Sequence, residues 1–166
     1  LLKQNAHLLD GTVLILFQPA EESATGARAV METGALDGVS AVFGMHNKPD
    51  LPVGTVGIKT GPLMASVDRF EILVNGKGGH AGIPEAAVDP VVVSSAIVAA
   101  LQTLVSRNVS PHHSAVVSVC KLHVGSTWNV IPDSGVLEGT VRTFQPEARA
   151  AIPERMKQIV EHVAAG

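Results

Sequence analysis

The sequence predicts an α/β fold in two parts: a strand–helix–strand layer over residues 1–62, then a β-α-β-β-α unit over residues 63–166. Apolar runs at Thr12 to Phe17, Ala41 to Met45 and Val53 to Lys59, interrupted by a short helical stretch, point to a parallel layer covered on both faces. Beyond Thr60-Gly-Pro62, which reads as a hinge, the pattern changes to half-buried strands and two long helices. A final strand after the second of these helices would complete a split-βαβ, ferredoxin-like sandwich, so its last strand is expected to be missing from this chain.

In order, residues 1–9 read as the tail of an amphipathic helix, and a helix from about Gly26 to Thr33 stops at Gly34. In the second part Phe70, Ile72 and Val74 alternate with Arg69, Glu71 and Leu73, giving a half-buried strand. Gly76-Lys-Gly-Gly-His-Ala-Gly82 is a glycine-rich turn. Asp89-Pro90 is a strong helix start, with Asp as N-cap and Pro at the first helical position. That helix runs to about Ser106, with Val91, Val98, Leu101 and Val105 along one stripe. Strands Ala115 to Val124 and Val136 to Phe144 follow, then a helix from near Pro146 that Pro153 is expected to kink or restart. Ile152, Met156, Ile159, Val160 and Val163 form its apolar stripe. Cys120, on the same strand as Val116, Leu122 and Val124, is expected to pack in the core.

The helix from Val91 to Ser106 carries no charge, and its other face presents Ser95, Ala96, Ala99, Ala100, Gln102 and Thr103. Such a face is expected to pack on something, most simply a second copy of the domain.

The totals narrow the function classes. A net charge of −3 and a pI near 6.2 argue against a nucleic-acid partner. Apolar runs of transmembrane length and a signal-peptide pattern are not evident, so no membrane partner and a cytoplasmic location are the default expectations. One cysteine rules out an internal disulfide. Residues 1–9 read as a helix tail without its beginning and the last helix stops at Gly166, so the chain is expected to be an internal piece of a longer protein.

The chemistry gathers at a few places. Glu21 and Glu22 follow directly on the apolar run Thr12 to Phe17 and Gln-Pro-Ala. Adjacent carboxylates repel unless a cation or a proton lies between them, so one can hold a metal while the other works beside it. A solvated turn before a helix explains the pair equally simply. His46 follows the run at Ala41 to Met45, so it and the acidic pair are expected on one rim at the carboxyl ends of strands. His80, in the glycine-rich turn, can donate to an oxyanion or merely sit in a hairpin. The turn lacks the Gly-Lys-Ser/Thr ending of a phosphate loop, which weighs against a nucleotide-binding domain. Asn129 can hold a carboxylate or carbonyl or make an Asx turn, and Arg142 can fork onto a carboxylate or pair with Glu138.

Six segments come in an order and spacing that resemble a known family. They are Phe17-Gln-Pro-Ala-Glu-Glu22, Gly44-Met-His-Asn47, Gly54-Thr-Val-Gly-Ile-Lys-Thr-Gly-Pro-Leu-Met-Ala65, Gly76-Lys-Gly-Gly-His-Ala-Gly-Ile-Pro84, Asn129-Val-Ile-Pro-Asp133 and Gly139-Thr-Val-Arg-Thr143. Together they resemble the dinuclear metal aminoacylase and carboxypeptidase family, in the branch of N-acyl-amino-acid amidohydrolases such as hippurate hydrolase and indole-acetyl-amino-acid hydrolases.

The resemblance implies a catalytic α/β domain, here residues 1–62, with an inserted ferredoxin-like lid, here residues 63–166, that mediates homodimerisation. It implies two divalent metal ions (zinc, manganese, cobalt or nickel) that polarise the scissile carbonyl and activate a water. Glu21 matches the catalytic carboxylate, Glu22 and His46 match metal ligands, and His80 matches the residue that steadies the reacting carbonyl. Asn129 and Arg142 match lid positions facing the carboxylate end of an N-acyl amino acid. The family's upstream Cys/His ligand motif and its late His ligand are absent from these residues, and Cys120 lies in the lid. The piece alone is therefore expected to be inactive and to bind metal weakly if at all. A non-catalytic dimerisation module on a related scaffold is the alternative.

Overall fold

The computed structural model describes residues 1–23 and 25–166. They divide into two compact units, Leu1–Thr55 and Val56–Gly166.

In the first unit the chain opens with a 3-10 helix, Lys3–Leu8, where an amphipathic α-helical tail was expected; Asn5 breaks the helical dihedrals at φ −111°. Helix α1 spans Gly26–Glu32, shorter by one residue than its sequence pattern. It ends as Thr33 and Gly34 donate back to the carbonyls of Val30 and Met31, with Gly34 at φ +73°.

The expected strands at 12–17, 41–45 and 53–59 do not form, and the described part of residues 1–67 contains no strand. Ile15 is 67% exposed, Phe17 88% and Phe43 95%. A buried parallel strand is held by ladder bonds from neighbours on both sides, and none of these apolar runs has such a neighbour among the described residues. The runs stay exposed to water, and the strand ends expected to carry Glu21, Glu22 and His46 are not formed among the described residues.

The second unit follows the predicted β-α-β-β-α order closely. Strand β1 spans Asp68–Asn75, a two-residue β2 spans Gly79–His80, and helix α2 spans Pro90–Asn108. Strand β3 is Ala115–Val124, two-residue β4 is Val130–Ile131, β5 is Ser134–Thr143, and helix α3 is Pro146–Ala165. The main sheet is antiparallel in the order β1-β5-β3, and β2 pairs with β4 in a separate small ribbon. Leu137 and Val141 on the central strand, Val74 on β1, Ile97, Leu101 and Leu104 of α2, and Ile152 and Met156 of α3 make one core on a single face of the sheet.

The stripe on α2 is shifted from its expected place. Ile97 and Leu104, with Leu101, are fully buried, Val98 and Val105 are partly buried, and Val91 is 43% exposed. By length and hydropathy α2 could cross a membrane, yet its Ile97–Leu101–Leu104 face is occupied by the core. The stripe of α3 is as expected, with Ile159, Val160 and Val163 packed at its margin. Pro153 does not restart α3, which runs through it as one element. Pro153 lies on the exposed side, where water can satisfy the carbonyl its missing N–H leaves free.

Cys120 is exposed, not buried. A β-bulge falls between Val119 and Lys121, where β3 shifts register against β5. Before it, Ala115, Val117 and Val119 face the core; Val116, opposite Arg142, faces out. One extra residue inverts the alternation. Val124 therefore returns to the core side over Gly135, its partner on β5, while Cys120 stays outside.

Candidate active site

In the first unit, a tight turn carries the paired glutamates. Ala20, immediately before them, has φ +48°, a left-handed conformation that a residue with a Cβ adopts at a cost. The turn is closed by Gly26 N–H donating to Ala20 O at 3.3 Å and by Ser23 Oγ donating to the same carbonyl at 3.1 Å. A side chain at Gly26 would collide with the Pro19 carbonyl, so only glycine lets α1 start this close. Glu21 and Glu22, which follow Ala20 in this turn, are both exposed.

His46 is also exposed, and its Nδ1 donates to the Asn47 carbonyl at 2.6 Å. That bond leaves Nε2 with its lone pair, the arrangement of a metal-binding imidazole oriented by a backbone acceptor. Carboxylate and imidazole suit zinc and its neighbours. Among the described residues, however, there is no group of three or more His, Cys, Asp or Glu side chains that would close a metal site. Glu22 and His46 thus fit as individual donors, and the described residues do not complete a centre. Close by, Lys48 pairs with Asp50 at 2.8 Å and holds its carboxyl below the ordinary range.

In the second unit the β2–β4 ribbon brings His80 and Asn129 together. His80 stands opposite Val130, and Ala81 N–H donates to the Asn129 carbonyl at 3.2 Å. Gly82 N–H donates to His80 Nδ1 at 3.0 Å, which fixes that nitrogen as acceptor and puts the proton of neutral imidazole on Nε2, as a donor. Thr127 Oγ1 donates to Asn129 Oδ1 at 3.4 Å.

Arg142 lies elsewhere, exposed on the outer face of β5 opposite Val116. Glu138, the alternative partner to a substrate carboxylate, is taken by Arg69 at 2.6 Å and Lys121 at 2.5 Å. These two cations hold the Glu138 carboxyl below its usual range, Lys121 first. Arg142 is thus not drawn into that cluster.

Sequence reasoning gave Asp133 no role, yet it fastens the glycine turn. Its carbonyl accepts from Gly76 N–H at 2.7 Å and its Oδ1 from Gly78 N–H at 2.8 Å. A Cβ on Gly78 would lie 2.9 Å from that same Oδ1, so the close approach needs glycine. The signal was present in Asn129-Val-Ile-Pro-Asp133, where the acid closes the motif.

The sequence pattern of peptidase family M20/M25/M40 matches residues 1–157. The chain belongs to this family. An N-acetylcysteine deacetylase of Bacillus subtilis (strain 168) is 61% identical over 166 residues, which is 100% of this chain and 44% of that protein. An Arabidopsis thaliana protein named IAA-amino acid hydrolase ILR1-like 4 is 41% identical over 164 residues, 99% of this chain and 37% of that one. The crystal structure of Bacillus subtilis YXEP, described as a dinuclear metal-binding peptidase of the M20 family, superimposes with a TM-score of 0.77 at 53% identity. It covers 99% of this chain and 40% of its own. This M20-family chain therefore spans less than half the length of these relatives.

Proposed function

We propose that the whole protein is a metal-dependent amidohydrolase that cleaves the amide bond of N-acyl amino acids. The observation that carries this is the 61% identity, over all of this chain, to an N-acetylcysteine deacetylase, within a family whose pattern matches residues 1–157. In this reading residues 1–62 are part of the catalytic domain and residues 63–166 form a ferredoxin-like lid. The order β1-β5-β3 supports the lid reading, since a fourth strand beside β1 would complete that sandwich. A homodimer through the lid, supported by the uncharged outer face of α2, and a cytoplasmic location complete the proposal.

Glu22 and His46 would be two of the ligands to a pair of divalent ions, zinc, manganese, cobalt or nickel. Such ions, when bound, supply polarisation of the amide carbonyl and acidification of a water. Glu21 accepts the proton of the attacking water and returns it to the leaving amine. His80, donating from Nε2, steadies the oxyanion as the carbonyl carbon becomes tetrahedral. Asn129 and Arg142 hold the carboxylate of the amino-acid half. The products are a carboxylic acid and a free amino acid.

Glu21→Gln in the full-length enzyme tests the central role. Metal content should be retained and turnover of N-acetyl amino acids lost; turnover at the wild-type rate would refute it.

A further inference from the structure

The one tryptophan of the chain, Trp128, is 92% exposed in the turn that enters β4. A side chain able to bury roughly 150–250 Å² of surface is here left in water, directly before Asn129. Its backbone neighbourhood is fixed. Ala81 N–H donates to Asn129 O at 3.2 Å, Val130 stands opposite His80, and Ile83 N–H donates to His80 O at 2.9 Å. Ile83 is 50% exposed and Val130 49%. Directly opposed residues of an antiparallel pair share a face, so Val130 and His80 project together. The ribbon that brings His80 beside Asn129 therefore carries or directly adjoins three exposed apolar residues, Ile83, Trp128 and Val130.

We propose that this patch is the subsite for an apolar side chain on the amino-acid half of the substrate. The inference rests on the reading of Asn129 as a partner of the substrate carboxylate. In an amino acid the carboxylate and the side chain branch from one carbon, so groups beside the carboxylate's partner meet the side chain. An indole face accepts aliphatic or thioether chains without demanding a hydrogen bond. Its two side-chain torsions also cost little entropy to fix. The favoured leaving groups are amino acids of the leucine or methionine type, over glycine.

The test is steady-state kinetics of the full-length enzyme on N-acetylleucine and N-acetylglycine. Trp128→Ala should lower kcat/KM for N-acetylleucine about tenfold, through KM, and leave N-acetylglycine within about twofold. Trp128→Phe should restore most of the loss. An equal fall for both substrates, or no change for either, overturns the subsite while leaving the amidohydrolase reading intact. A wild-type enzyme that hydrolyses neither substrate overturns that reading, and the subsite with it.

Discussion

The ring of Phe70 on β1 fills the space over Gly139, its direct partner on β5, where any other residue would place a Cβ. The same Cβ would also overlap the Ser118 carbonyl on β3. A notch in the central strand is thus filled by an aromatic from one neighbour and backbone from the other. Gly139→Ala is expected to destabilise the fold by about 1–3 kcal/mol, as overpacking does, with the loss read as a lower urea midpoint at unchanged slope.

Arg149 forks onto Asp68, Nε to Oδ2 at 2.9 Å and Nη2 to Oδ1 at 2.7 Å, and so ties α3 to the start of β1. The guanidinium holds the Asp68 carboxyl below its ordinary value of 3.8. A carboxyl lowered on folding contributes its stability above the unfolded pKa and loses it as pH falls through the folded one. Asp68→Asn should therefore be less stable than wild type at pH 7 and converge on it below about pH 4. With Asp68 at 36% and Arg149 at 55% side-chain exposure, solvent screening limits the pair. A double-mutant cycle at neutral pH should return a small favourable coupling that shrinks in high salt.

Asp89 caps α2 through Oδ1, which accepts from Val91 N–H at 2.7 Å, with Pro90 at the first helical position. Asp89→Ala should cost about 1 kcal/mol, and Asp89→Ser should recover most of it, by thermal or urea unfolding.

The Cys120 thiol, outside the sheet at the bulge, should react fully with a thiol reagent in the native state, without denaturant. Cys120→Ser should shift stability by no more than about 0.5 kcal/mol. A thiol that reacts only in denaturant would place it in the core after all.

What could be read from the sequence depended on where the partner groups lie. The cap of α2, the stripe of α3 and the span of β3 are local patterns, and they were legible from Asp89-Pro90, from Ile152 and Met156, and from the run at Ala115. Cys120 was misplaced because a bulge is a property of a strand pair, and strict alternation along one strand cannot contain it. The runs at Thr12 and Ala41 had strand composition but no ladder neighbour, which composition does not report. In the candidate site, His80 and Asn129 were legible as motif residues, whereas their juxtaposition arises only from the β2–β4 pairing. For Arg142 the sequence left two partners open, a substrate carboxylate or Glu138; Arg69 and Lys121, arriving from the two flanking strands, take Glu138.

Asp133 joins the start of β5 to the glycine turn through two separate acceptors, its carbonyl and its carboxylate. The amide protons of Gly76 and Gly78 are therefore sequestered by the same residue, and neither can reach solvent until that anchorage lets go. In hydrogen–deuterium exchange the turn bearing His80 should then behave as an extension of the central strand, opening with it and not as a freely fluctuating loop. The imidazole would be carried on a slow part of the molecule, its placement set by the folding of the sheet.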